Sequence, residues 1–211
     1  MLGTPLYAII DVDLALARLV EPLDLVSRLL DGGATVLQVR AKRLASRAWL
    51  ALCEEVVERA HSNGARVVIN DRADIARLAR ADGVHLGQLD LAPRAARAIL
   101  EPGALIGWST HTRVQIDDAL ELPIDYVAVG PVYPTSTKDT GYDAVGLEMV
   151  RYAATRFAGR DVVAIGGITL ERAREVLDAG ATAVAVISDL LDGSNATARV
   201  GAYLRVLGHH V

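Results

Sequence analysis

Eight short runs rich in β-branched residues recur along this chain, and stretches with helical spacing lie between them. The runs fall at Leu6–Asp11, Val36–Arg40, Val67–Asn70, Gly83–Leu86, Leu105–Ser109, Tyr126–Val129, Val162–Ile165 and Ala183–Ile187. Trp49–His61, Ala73–Arg80, Pro93–Leu100, Leu147–Phe157 and Leu170–Ala179 carry apolar residues three and four apart, the mark of a helix with one buried face. Strands alternating with helices predict βαβ units and a parallel sheet. Eight units in 211 residues, about 26 residues each, match the count for a (β/α)8 TIM barrel, an α/β fold forming a single domain over 1–211. A doubly wound open sheet is the competing arrangement. It would place a glycine-rich phosphate turn after the first strand, where this chain has Asp11-Val12-Asp13.

Composition narrows the function classes. Apolar residues at 52% and charged residues at 23% belong to a globular chain. No apolar run approaches the roughly 20 residues of a membrane helix, so no membrane partner is expected. The first residues have no basic leader before their apolar stretch and do not read as a secretory signal. One cysteine, Cys53, cannot form an intramolecular disulfide and suits a reducing cytosol, so a cytoplasmic location is expected. A net charge of −4 gives no basic field for nucleic acid. Homo-oligomerisation is left open.

In a barrel the chemistry belongs at the carboxyl ends of the strands, and unusual polar residues stand there repeatedly. In Gln38-Val39-Arg40-Ala41-Lys42, strand alternation sets Gln38 and Arg40 on the inner face and Leu37, Val39 and Ala41 on the other. An inward arginine needs an anion, either a ligand or a barrel carboxylate. All but two of the 22 basic residues are arginine. The exceptions, Lys42 and Lys138, are compact ammonium groups suited to point contacts with phosphate. Asp71 and Asp90 end adjacent strands; they could cap the helices that follow or hold one hard cation, Mg²⁺, which takes few carboxylates and shares substrate phosphates. Thr135-Ser136-Thr137-Lys138 has the hydroxyls and amides of a phosphate cradle. Gly166-Gly167 and Ser188 follow strands seven and eight, where barrels recurrently bind phosphate. The sum is two anion sites in one mouth, suited to joining two phosphorylated molecules with diphosphate leaving.

At these motifs the chain resembles the thiamine phosphate synthase (thiamine-phosphate pyrophosphorylase) family over nearly its whole length. The carrying segments are QVRAK at 38–42, VINDRADIA at 68–76, ADGVHLGQLD at 81–90, IGWSTH at 106–111, VGPVYPTSTK at 129–138 and AIGGIT at 164–169. The resemblance implies a (β/α)8 barrel that condenses hydroxymethylpyrimidine diphosphate with a thiazole phosphate, giving thiamine phosphate and pyrophosphate. It implies that Gln38, Val39, Arg40, Ala41, Lys42, Asn70, Ser109 and Lys138 bind the pyrimidine diphosphate, with Arg40, Lys42, Ser109 and Lys138 catalytic. Asp71 and Asp90 would hold Mg²⁺. Thr135, Ser136, Thr137, a glycine of the Gly166-Gly167 pair, Ile187 and Ser188 would hold the thiazole phosphate. The implied mechanism is dissociative, through a pyrimidine carbocation captured by the thiazole nitrogen.

The chain departs from the family pattern at Ser136, where proline is common, and at Trp108, where a small residue is common; Trp108 could narrow the pyrimidine pocket or pack against a helix. Asp139-Thr140-Gly141-Tyr142 also differs from the proline-rich loop expected there. Two other readings compete: a thiazole tautomerase, for which His111 would be the acid/base, and a non-catalytic barrel that binds thiamine phosphate as a regulator. The two acids argue against product binding alone.

Overall fold

Each strand hands the chain to a helix on the outside and hydrogen-bonds its neighbours in parallel. The computed structural model describes residues 1–135, 141–191 and 195–208. In chain order the elements are β1 (Leu6–Asp11), α1 (Val12–Ala17), α2 (Pro22–Asp31), β2 (Val36–Arg40), α3 (Ser46–Ser62), β3 (Arg66–Asn70), α4 (Ala73–Leu78), β4 (Gly83–Leu86), α5 (Pro93–Ile99) and β5 (Leu105–Thr110). They continue as α6 (Arg113–Asp118), β6 (Tyr126–Val129), α7 (Gly146–Arg156), β7 (Asp161–Ile165), α8 (Leu170–Asp178), β8 (Ala183–Val186) and α9 (Ala196–Val206). β1 pairs with both β2 and β8, which closes an eight-stranded parallel barrel. The expected TIM barrel is therefore the fold. Strand limits differ from the sequence expectation by one residue at most, as where Ile187 leaves β8.

Alternation along the strands makes two apolar layers. Tyr7, Ile9, Val36, Val68, Leu105, Tyr126 and Val163 fill the barrel interior. Leu37, Val39, Ile69, Ile106 and Trp108 face the helices. Trp108 thus packs against the outer layer and does not narrow the pocket. In α3 the buried residues Trp49, Cys53, Val56, Val57 and Ala60 follow the helical period. Burial pushes the Cys53 thiol up to about 12, so it packs as a small apolar group.

Two glycines adjust the interior. A Cβ on Gly107 would lie 2.0 Å from the Tyr126 ring, so glycine there is what lets that ring lie across the barrel. A Cβ on Gly83 would meet the Leu105 carbonyl oxygen at 2.3 Å. The amino-terminal face is tied by short polar residues: Asp82 accepts from the Val67 amide at 2.7 Å and Asp125 from the Ile106 amide at 2.7 Å. Those ties hold the end of the barrel away from its open mouth.

Candidate active site

The carboxyl ends of the strands surround a cavity of about 310 Å³. Gln38, Arg40, Asn70, His85 and Ser109 line one side, as alternation on β2 to β5 requires. Thr135, Gly166, Gly167, Ile187 and Ser188 line the other. The deeper wall is polar. Gln38 Nε2 donates to Tyr7 Oη at 3.0 Å, and the Tyr7 and Tyr126 hydroxyls lie 2.8 Å apart. Tyr126 Oη is 3.0 Å from His85 Nδ1, and His85 Nε2 is 2.8 Å from Ser109 Oγ. All five residues are buried. Burial raises both phenols well above their ordinary range, so they stay protonated.

Arg40 answers its need for an anion with Asp11, the residue opposite it in the β1–β2 register. The barrel-carboxylate alternative is thus realised. Asp11 also accepts from the Leu14 amide at 3.0 Å and so caps α1. Arg40 keeps a buried Nε without a hydrogen-bond partner, a donor still to be satisfied.

Lys42, Asp71 and Asp90 form a neighbouring cluster that does not line the cavity itself. Lys42 Nζ pairs with Asp71 Oδ2, while the Asp71 backbone takes a left-handed φ of 66°. Neither acid caps a helix: Arg72 and Ala92 hold the N-cap positions of α4 and α5. Asp90 closes its own turn, accepting from the Gly87 amide at 2.7 Å. Burial raises the Asp90 carboxyl above the ordinary range, the Gly87 amide opposes this, and contact with Asp71 raises it further. Two carboxylates in contact, one drawing a lysine ammonium and the other favouring a proton, are short of positive charge. That donor set suits a hard cation that brings water and phosphate as its remaining ligands. Among the described residues no group of three or more His, Cys, Asp or Glu could cage a metal without them.

On the phosphate side, Val132 N donates to the Ile165 carbonyl at 2.9 Å and Tyr133 N to that of Gly166 at 3.0 Å. This brings the loop after β6 against the end of β7. A Cβ on Gly166, at φ 104°, would lie 2.5 Å from Pro131 Cα; one on Gly167, at φ 62°, 2.6 Å from the Pro134 oxygen. Both positions need glycine. Arg172, near the start of α8, also lines the cavity; it donates to the Gly167 oxygen at 3.0 Å and stacks 4.6 Å above the Tyr133 ring. Beneath Ser188, Asp189 binds Arg199 at 2.8 Å and accepts from the Leu170 amide at 3.2 Å, clamping the turn after β8 to α8 and α9.

The family profile described as thiamine monophosphate synthase matches residues 6–190. The chain belongs to that family. A thiamine-phosphate synthase of Koribacter versatilis is 41% identical over 191 residues, 88% of each chain. One from Thermus thermophilus is 45% identical over 170 residues, 81% of each. Among solved structures, a thiamine phosphate pyrophosphorylase from Pyrococcus furiosus superposes with a TM-score of 0.86 at 29% identity, covering 97% of this chain and 96% of that one.

Several expected positions of this family member come together and others do not. Val39 is buried in the outer layer and Ala41 packs against it, so only their backbones can face a ligand. Ser136, Thr137 and Lys138 lie outside the described residues. His111 lines the cavity with Nδ1 2.5 Å from the Gly130 oxygen, its ring stacked 4.2 Å from Tyr142. Sequence reasoning gave no part to Tyr7, Tyr126, Asp11 or Arg172. Only Asp11 carried a signal, being an acid on the inward parity of β1 beside the inward Arg40.

Proposed function

We propose that this barrel joins a pyrimidine methyl diphosphate to a thiazole phosphate, producing thiamine phosphate and pyrophosphate. This is the activity for which its relatives are named. The observation that carries the reading is a single cavity with two unlike polar walls: Gln38, Arg40, Asn70 and Ser109 face Thr135, Gly166, Gly167 and Ser188. The first wall takes the pyrimidine diphosphate, and the unsatisfied Arg40 Nε supplies one reason for an anion there. The second takes the monophosphate, with Arg172 as its cation.

In the reaction the C–O bond between the pyrimidine methylene and the diphosphate breaks, and the electron pair leaves with the diphosphate. The cationic methylene is captured by the thiazole ring nitrogen, forming the C–N bond. Arg40 and Lys42 neutralise the departing charge, and Lys138, which lies outside the described residues, is assigned the same role from the family resemblance. Asp71 and Asp90 would hold Mg²⁺, which supplies further charge neutralisation on the diphosphate when bound. Asn70 and Ser109 orient the pyrimidine. No side chain acts as a covalent nucleophile.

The test mixes the protein, both substrates and Mg²⁺ and follows pyrophosphate release. Release that needs all three is expected. Asp71→Asn and Asp90→Asn should each lower it by at least about a hundredfold. No release from the unmodified protein overturns the activity, and full release in excess chelator overturns the metal assignment.

A further inference from the structure

The hydrogen-bond series beneath the cavity has a direction. Gln38 presents an N–H to Tyr7 Oη, so the Tyr7 proton has Tyr126 Oη as its acceptor. The Tyr126 proton then goes to His85 Nδ1. A neutral imidazole carries one proton, which now sits on Nε2 and is donated to Ser109 Oγ. Ser109 Oγ has no other hydrogen bond among the described residues, so its own proton is left for the cavity that the residue lines. The opposite direction would strand the Tyr7 proton against the Gln38 amide nitrogen. The orientation of the Gln38 amide, nitrogen toward Tyr7, is what fixes this direction.

We infer that Tyr7, Tyr126 and His85 are positioning residues that present the Ser109 hydroxyl to the substrate as a hydrogen-bond donor. Its partner is then an acceptor atom, a ring nitrogen lone pair or a diphosphate oxygen, rather than an amino group. This last step rests on the reading that Ser109 faces the pyrimidine diphosphate. With a neutral His85 the series is neutral from end to end and can be buried without burying a charge. Gly107 belongs to the device, because a side chain there would displace the Tyr126 ring.

Two measurements test it. ¹⁵N NMR of the histidines in the ligand-free protein, with His85 assigned by comparison with His85→Gln, should show the His85 proton on Nε2. A proton on Nδ1, or on both nitrogens at neutral pH, overturns the inference whether or not the protein is active. In kinetics, Tyr126→Phe and Tyr7→Phe should each raise KM for the pyrimidine diphosphate about three- to tenfold, the worth of one net hydrogen bond. KM for the thiazole phosphate should not change. In a Ser109→Ala background the same substitutions should have no further effect. An undiminished effect in that background, or equal effects on both substrates, makes the tyrosines merely structural. A wild-type protein that releases no pyrophosphate would remove the activity but leave the NMR result to decide the series.

Discussion

Asp11 and Arg40 are register partners on β1 and β2, and their side chains form an ion pair at the mouth of the barrel. Only 4% of the Asp11 side chain and 13% of that of Arg40 are exposed. Asp11→Asn keeps an oxygen to cap α1 but leaves the guanidinium without its counter-charge. We expect a loss of about 3 kcal/mol in urea unfolding. Pyrophosphate should then raise Tm more in the variant than in the parent, because a bound anion replaces the missing carboxylate. Equal shifts would place the anion away from Arg40.

Asp90 should weaken the metal-free fold at neutral pH. Its folded carboxyl is raised, by burial first and by Asp71 next, so the folded protein holds the proton more tightly than the unfolded chain. Stability therefore falls as pH rises from the ordinary carboxylate value through the raised one. In chelator at neutral pH, Asp90→Asn should melt higher than the parent, with the gap closing as pH falls. Mg²⁺ should raise the parent's Tm and leave the variant's unchanged. A variant that melts lower in chelator would contradict the carboxylate crowding.

Gly166 should tolerate no side chain. Gly166→Ala meets both a left-handed backbone and the Pro131 backbone at 2.5 Å. It should cost well over 1 kcal/mol and raise KM for the thiazole phosphate, with KM for the pyrimidine diphosphate unchanged. Gly64→Ala is the control: φ is 70° but no atom lies within 4 Å of the added methyl. It should cost about 1 kcal/mol with kinetics unaltered.

Arg172→Ala should raise KM for the thiazole phosphate about tenfold, as for a charge-assisted hydrogen bond, and leave the maximal rate near that of the parent. That increase should shrink with added salt, because the arginine is exposed and its attraction is screened. An unchanged KM would make Arg172 a strut for the Gly167 carbonyl and nothing more.

What the chain alone specifies is local. A period of two separates Gln38 and Arg40 from Leu37 and Val39, and the helical period in α3 picks out its buried face; eight repetitions of strand and helix imply the closed barrel. Gly166-Gly167 was legible because few residues other than glycine allow so close an approach. Helix capping is the competing reading of Asp71 and Asp90, and the structure decides against it: the chain turns through a left-handed residue at Asp71 before α4 begins, and Ala92, not Asp90, stands at the start of α5. Arg40 could have met a ligand or a carboxylate; Asp11 answers because strand pairing sets it alongside. Tyr7 and Tyr126 are ordinary strand-formers in sequence, 119 positions apart, and become neighbours only when the barrel closes. Arg172 looks like any other helix-surface arginine until the loop after β6 supplies the Tyr133 ring beneath it. Periodicity depends on neighbours along the chain, whereas the polar series under the cavity depends on neighbours across it, and only closure of the sheet creates those.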